Sequence, residues 1–399
     1  MSLVPRFVPP AGTVLRGRDV LGWLGEAAVR GDARPDLAAI FRERYGLPHV
    51  FLVSSARAGM TVLLRVLAER APGRREVAVP GYTCYSVAAS AVRAGLRVRP
   101  LDISAETLDI APAALDAAAL SRSLALVGTN LYGIPSDAPR LEGAARTHGA
   151  AFIDDAAQCL DGRIGGRWVG TFGDAGLFSF DKGKNVTSIQ GGVIACRDPG
   201  LADAIGRACA ALPPQPPASV AAQGAKLLAY YVLLRPWLYW IANRMVRLGE
   251  TPFELDSPMT GYPAALAPAV RRQMERIALI TEARARNAAR LGELLADVPG
   301  IRIPGRAGAT AVFPRFPVVF DEPARRERVR DRLVLAGIGA TGSYPRALRD
   351  VPELQPHLAP ETADTPSARA VAAGILTLPT HGFVTDADLA TISRVLRSA

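Results

Sequence analysis

The chain has 399 residues, 49% of them hydrophobic, and a net charge of +10 from 47 Lys and Arg against 37 Asp and Glu. This length predicts more than one domain, and the apolar content excludes wholesale disorder. The arginines are spread along the chain with no basic block, zinc-finger spacing or RNA-binding motif, which excludes nucleic acid as the expected partner; the basic surface instead suits anionic substrates or lipid headgroups.

Residues 1–48 read as a lead-in with helices at about Asp19–Arg30 and Asp36–Tyr45. Strands and helices then alternate. The apolar runs His49–Val53, Glu76–Val79, Leu96–Leu101, Leu124–Thr129 and Ala151–Asp154 are strand candidates, with helices at Ala58–Glu69, Tyr85–Ala94 and Ala138–His148 between them. This order predicts an α/β large domain over residues 49–210, a mainly parallel sheet covered on both faces. Neither GxGxxG nor GxxxxGK[ST] occurs, so the dinucleotide and P-loop readings lose their support.

Residues 211–260 form an apolar insertion. Within it Lys226–Leu248 is rich in aromatic residues, but its longest apolar run, Leu227–Leu234, ends at Arg235–Pro236. A spanning helix needs about 20 apolar residues, so the segment is expected to be a packed or subunit-contact helix pair, or an amphipathic foot on a membrane surface. Residues 261–399 read as a smaller α+β domain: a long helix Leu266–Leu295, apolar runs at Ala311–Phe320 and Ile375–Leu378, and helices near Arg325–Ala336 and Asp386–Arg397.

The four cysteines (Cys84, Cys159, Cys196, Cys209) and four histidines (His49, His148, His357, His381) show no metal-ligand spacing and no CxxC pair. Zinc and disulfides are therefore not expected, and a reducing cytoplasm fits. The first residues, MSLVPRFVPPAG, lack the apolar core of a secretory signal.

Three lysines occur in the whole chain, Lys182, Lys184 and Lys226. Arginine stays protonated, whereas a lysine amine loses its proton and forms Schiff bases with aldehydes. Two of the three lie in one stretch, Asp174–Ala195, which ends in the paired glycines Gly191 and Gly192. Asp154 and Asp155 close a predicted strand, where parallel sheets bind ligands. Ser179 precedes Lys184 by five residues, and Ser54-Ser55-Ala56-Arg57 lies between a strand and a helix, as a phosphate site requires. Lysine, carboxylate and phosphate loop together are the parts that pyridoxal phosphate needs.

The sequence resembles the DegT/StrS-type sugar aminotransferases, a branch of the fold-type-I pyridoxal-phosphate enzymes. The resemblance rests on VPGYTCYSVAASAVRAGLRVRPLDIS (Val79–Ser104), TNLYGIPSD (Thr129–Asp137), IDDAAQ (Ile153–Gln158), GTFGDAGLFSFDKGKNVTSIQGG (Gly170–Gly192) and LPTHGFVTDADL (Leu378–Leu389). It implies an aspartate-aminotransferase-like large domain with a smaller C-terminal one. It also implies an amino-acid donor, glutamate by family precedent, and a keto-sugar acceptor, nucleotide-linked by the same precedent, with a homodimer whose active sites lie between subunits. By position, Lys184 resembles the Schiff-base lysine, Asp155 the partner of the pyridine nitrogen and Gln158 the glutamine near the ring oxygen. Ser179 resembles the phosphate serine, with Ser55, Ala56 and Arg57 in the phosphate loop. Cys84 and Tyr85 fall where the family places its ring-stacking aromatic, and Asn185 follows the lysine. The family's Gly-Tyr-Asn-x-Arg segment corresponds to Gly261-Tyr262-Pro263-Ala264-Ala265, without its Asn and Arg, and Arg57 is expected to compensate from within the chain.

Overall fold

In the computed structural model, residues 6–29, 31–245 and 253–398 are described. The expected sheet is present. It has seven strands, in the spatial order His49–Val53, Gly192–Cys196, Ala175–Ser179, Ala151–Asp155, Ser123–Thr129, Glu76–Pro80 and Arg97–Leu101. All run parallel except Gly192–Cys196, which is antiparallel to both neighbours. The central strands are apolar on both faces because helices cover both, as a parallel sheet requires. Val77, Val127, Ile153, Leu177 and Ile194 pack with Leu63, Leu64 and Ala88 on one side, while Ala78, Leu126 and Phe152 pack with Leu141 and Ala145 on the other.

The consequence is positional. The C-terminal ends of the strands closing at Val53, Pro80, Thr129, Asp155 and Ser179 share one edge of the sheet. The chemistry-bearing segments singled out above leave the sheet along that edge.

The C-terminal unit is built on a three-stranded antiparallel sheet, Ile301–Arg302, Phe316–Phe320 and Ile375–Leu378. Leu291, Leu295, Val329, Leu333, Ile392 and Leu396 from three helices fill its core. The N-terminal strap joins this unit: Val8 bridges Ile338, and the Gly339 N–H donates to the Val8 carbonyl at 2.8 Å. The long helix expected over Leu266–Leu295 is in fact two, Ala267–Met274 and Ile277–Leu295, separated at Arg276 (φ −123°). The break has a tertiary cause. The buried Arg276 guanidinium is pulled toward the first helix, where it donates to Asp19 Oδ2 at 2.8 Å and to the Val14 carbonyl at 2.8 Å.

In the insertion, helices Pro217–Leu233 and Pro236–Met245 turn at Arg235–Pro236. Leu227, Leu234 and Tyr239 are buried, and the Gln223 amide donates to the carbonyls of Ser188 and Gln190, each at 2.8 Å. Val232, Leu233, Trp237 and Ile241 remain exposed, Trp237 by 54%. Residues 246–248 of the segment singled out above lie outside the described residues. Among the described residues no helix is long and apolar enough to cross a membrane.

His381 gives the fold a pH dependence. Its Nε2 donates to the Pro9 carbonyl at 2.9 Å while Nδ1 accepts from the Phe383 N–H at 3.4 Å, so the ring is held neutral. Burial lowers its pKa to about 4. The unfolded chain therefore binds the proton first, and stability falls as pH drops from about 6.5 toward 4, by on the order of 3 kcal/mol. Denaturant midpoints of His381→Gln at pH 7 and pH 4.5 should differ less than those of the wild type.

Candidate active site

Two adjacent aspartates end the strand Ala151–Asp155, and strand alternation sends them to opposite sides. Asp154 is fully buried. It accepts from Asn130 Nδ2 at 2.8 Å and from the N–H groups of Gly170 at 2.6 Å and Phe172 at 3.3 Å. Burial, the dominant effect, raises its pKa to about 6 against these hydrogen bonds. It is a structural clamp on the turn that precedes strand Ala175–Ser179.

Asp155 is turned instead into a small cavity lined by Ala56, Arg57, Met60, Ser86, Ser90, Ala157 and Leu177. Its Oδ1 accepts from the Ala157 N–H at 2.9 Å. Burial raises its pKa, and the positive charge of Lys184 lowers it. A carboxylate short of water and facing a cation is a strong acceptor for a protonated ring nitrogen. Asp154→Ala should therefore cost stability, about 1–3 kcal/mol for the orphaned donors. Asp155→Ala should leave the urea midpoint nearly unchanged and remove activity; equal losses of both properties in the two variants would contradict the division.

At the far end of the cavity, Ser55 caps helix Ala56–Arg70 by accepting from the Ala58 N–H at 3.0 Å. The helix therefore starts with the Ala56 and Arg57 N–H groups in an anion-binding position. Ser179 and Val53 flank Gly192 in register. Gly192 must be glycine, since a Cβ there would lie 2.4 Å from the Ala56 nitrogen. That close approach brings the Ser179 strand end against the helix start. Thr260, whose buried hydroxyl has no partner among the described residues, donates its N–H to Ser54 Oγ at 3.2 Å beside the same turn.

Arg57 is at this cavity too, but its guanidinium lies 3.6 Å from the Glu254 carboxylate of the same chain. The stretch from Glu254 to Gly261 thus lies along the loop in cis: the Ser54 N–H donates to the Thr260 carbonyl at 3.1 Å, and Val53 bridges Gly261. Tyr262 points into the core, its hydroxyl donating to Ser188 Oγ at 2.8 Å.

Lys184 is half-buried, with its N–H donating to the Asp181 carbonyl at 3.2 Å and its own carbonyl held by Thr13 Oγ1 and, at 3.4 Å, by Arg284 Nη2. Lys182, by contrast, is exposed. Asn185 is buried and turned away, its amide donating to the Leu160 carbonyl at 2.9 Å.

Gln158 joins the strand edge to an aromatic wall. Its Oε1 accepts from the Tyr132 N–H at 3.2 Å and its Nε2 donates to Tyr344 Oη at 3.2 Å. The Tyr344 ring lies 5.9 Å from Tyr82, 5.6 Å from Tyr85 and 6.5 Å from Tyr132. The Tyr85 hydroxyl is bonded to the backbone of Arg346, and the Cys84 thiol lies 3.0 Å from Ser86 Oγ. Burial raises the pKa of Tyr132 to about 12 and that of Tyr344 well above its ordinary value. These phenols stay protonated at neutral pH, so they shape and donate rather than take protons.

The structure thus brings Ser55, Ala56, Arg57, Asp155, Gln158, Ser179 and Lys184 to one edge. Asn185 is buried, its amide held by the Leu160 carbonyl. Tyr132, Tyr344, Thr260 and Arg284 escape sequence reasoning, although Tyr132 lies inside the quoted TNLYGIPSD motif.

This architecture is that of the fold-type-I pyridoxal-phosphate aminotransferases. Residues 23–397 match the DegT/DnrJ/EryC1/StrS aminotransferase family, and the chain belongs to it. It is 35% identical over 161 residues to a putative L-glutamine:3-amino-2,3-dideoxy-scyllo-inosose aminotransferase of Streptomyces kanamyceticus (40% of this chain, 38% of the relative). It is 33% identical over 154 residues to the UDP-N-acetyl-3-dehydro-alpha-D-glucosamine 3-aminotransferase of Acidithiobacillus ferrooxidans (38% of this chain, 41% of the relative). The matched stretches therefore span about two fifths of these curated relatives. A putative sugar aminotransferase from Streptococcus pneumoniae, solved in its PMP form, superposes with a TM-score of 0.79 at 17% identity over 98% of both chains.

Proposed function

We propose that this chain is a pyridoxal-phosphate-dependent aminotransferase that moves an amino group from an amino acid, glutamate first, to the carbonyl of a nucleotide-linked keto-sugar. The observation that carries the reading is Asp155, on which the Lys184 charge acts and which lines one cavity with Ala56 and Arg57 at the start of a capped helix. Those residues fit the coenzyme: Asp155 would hold its ring nitrogen, Ser55, Ala56, Arg57 and Ser179 its phosphate, and Lys184 its carbonyl carbon. When bound, the coenzyme supplies an electron sink that makes the carbon bearing the amine acidic.

The chain's own contribution is then positional and protonic. Asp155, raised in basicity by burial, keeps a proton on the facing nitrogen. Lys184 takes a proton from the substrate carbon and returns it, the work of a general base with a free amine. The buried tyrosines leave Lys184 as the base on this edge, since they hold their own protons to high pH. Gln158 bridges Tyr132 of the large domain and Tyr344 of the C-terminal unit.

A second acceptor class, a cyclitol or other non-nucleotide ketone, is favoured by the inosose named for the Streptomyces relative. The homodimer belongs to the same proposal, with the outward face of Val232, Leu233, Trp237 and Ile241 as available apolar surface.

Purified protein reconstituted with pyridoxal phosphate should show a visible absorbance band that L-glutamate bleaches. Mass spectrometry should then find an amine on a UDP- or TDP-linked keto-sugar or on an inosose. A protein that cannot be coloured by the coenzyme would sink both readings.

A further inference from the structure

The helix pair of the insertion carries apolar residues on its outside. Among the exposed residues of helix Pro217–Leu233 only Ser219 and Lys226 are polar; the others are Pro, Ala, Leu and Val. Leu228, Val232 and Leu233 are each more than a third exposed. On helix Pro236–Met245 the exposed side chains among the described residues are Trp237 and Ile241, one turn apart. A surface helix of a globular protein normally turns its polar face to water. Here the polar Gln223 is buried, while Leu228 and Val232 face out.

The same surface continues onto the first helix, Gly17–Val29. A Cβ on Gly17 would lie 3.2 Å from the Tyr231 hydroxyl, and one on Gly224 would lie 3.6 Å from the Trp23 ring, so the two helices pack closely there. Leu228 stands four residues from Gly224, and Leu21 and Leu24 stand four and seven from Gly17. Helical periodicity therefore sets all three along that seam. Leu21 is 71% exposed and Leu24 41%. Exposed apolar residues scattered singly need no explanation, but a set spread over adjoining helices marks an interaction surface.

The charge around this surface has one sign. No Asp or Glu occurs between Asp203 and Glu250, a stretch that contains Arg207, Lys226, Arg235, Arg244 and Arg247. Lys226 is exposed. Arg235 is held at the turn between the helices, 4.5 Å over the Tyr231 ring and donating to the Tyr231 carbonyl at 2.8 Å. On the first helix the Arg18 side chain is 70% exposed, whereas the carboxylates of Asp19 and Glu26 are taken up by Arg276, Arg271 and Arg272. A second copy of the chain is the competing occupant of this face. A two-fold contact would line it with cations from both copies, with no carboxylate of the helix pair between them. An anionic lipid surface instead supplies the missing negative charge, accepts the apolar side chains and suits tryptophan at the headgroup level.

We propose that the outward face of helices Pro217–Leu233 and Pro236–Met245, extended by Leu21 and Leu24, docks this protein on an anionic lipid bilayer. The contact is interfacial, since among the described residues no helix is long and apolar enough to cross a membrane. The inference is independent of the aminotransferase reading.

The test uses the full-length protein with vesicles of phosphatidylcholine, alone or mixed with phosphatidylglycerol, read by cosedimentation and by tryptophan fluorescence. The wild type should bind the mixed vesicles with a blue-shifted emission, and bind the neutral ones at least about 10-fold more weakly. Trp237→Ser combined with Ile241→Ser should weaken binding about 10- to 100-fold through the apolar area lost. Lys226→Glu should weaken it about 10- to 30-fold through a reversed charge at the surface. The three side chains are exposed, so urea midpoints and coenzyme uptake of both variants should match the wild type. A wild type that ignores the mixed vesicles would overturn the proposal. So would binding that the Trp237→Ser, Ile241→Ser variant leaves unchanged, which would assign it to the general basic surface. Self-association of the wild type that this variant abolishes, without vesicle binding, would give the face to a second copy of the chain and overturn the proposal as well.

Discussion

Lys184→Ala is expected to slow amino transfer by roughly 100- to 10,000-fold, the range for loss of a positioned proton-transfer group. The protein should fold as before. The contacts that fix this loop are made by the Lys184 backbone, whose carbonyl is held by Thr13 and Arg284, and the side chain is only half-buried. Lys184→Arg should be as inactive as the alanine variant, because a guanidinium does not release its proton at neutral pH. Lys182→Ala, at an exposed position two residues away, should keep most of the activity. Single-turnover rates with L-glutamate for the four proteins check this. Similar losses at Lys182 and Lys184 would remove the assignment.

Arg284→Met should have the largest effect on stability, lowering the unfolding free energy by about 3 kcal/mol. Arg284 is 1% exposed, and among the described residues no carboxylate pairs with it. Its guanidinium donates to the Gly12 carbonyl at 2.6 Å, to the Pro314 carbonyl at 3.0 Å and to the Lys184 carbonyl at 3.4 Å. One side chain thereby ties the N-terminal strap, the C-terminal unit and the lysine loop. Burial lowers its pKa to about 10, so at neutral pH it remains charged and donating. Methionine fills similar space but leaves the Gly12 and Pro314 carbonyls without this donor, each at a cost of about 1–3 kcal/mol. Relief of the buried charge returns part of that. Urea midpoints should fall in Arg284→Met and, to a lesser extent, in Arg284→Lys, and coenzyme retention should fall with them. A midpoint equal to the wild type would mean that these carbonyls are satisfied without Arg284.

The strands of the large domain were readable because parallel strands buried on both faces appear as short apolar runs between turn residues. His49–Val53 is observed with the bounds expected, and Ala151–Asp154 needs one more residue. Ala175–Ser179 and Gly192–Cys196 are two further strands that the apolar runs did not mark, and the antiparallel direction of the second depends on pairing across the chain, which leaves no local mark. The break at Arg276 was hidden for a related reason. Local propensity favours helix straight through Leu266–Leu295, and only the distant Asp19 carboxylate turns the side chain aside.

At the site, Lys184, Asp155 and Ser179 could be named because few residue types do their chemistry, because Asp155 follows an expected strand, and because the family motifs contain all three. Asn185 shows the limit of that reasoning: adjacency to the lysine in sequence placed it at the site, whereas its amide is committed to Leu160 below the loop. Arg57 shows another limit. Arg57 pairs with Glu254 within the chain, and nothing local to either residue announces it. Arg284 was lost among the many other arginines, because what distinguishes it is the partners it has in three dimensions.

The measurement that bears most directly on the central claim is borohydride reduction of the pyridoxal-phosphate-reconstituted protein, followed by peptide mass mapping. A single reduced-coenzyme adduct on Lys184, suppressed when L-glutamate is added first, is the expected result. An adduct on Lys182 or Lys226, or none on a protein whose Asp155 and Ser179 are intact, would contradict it.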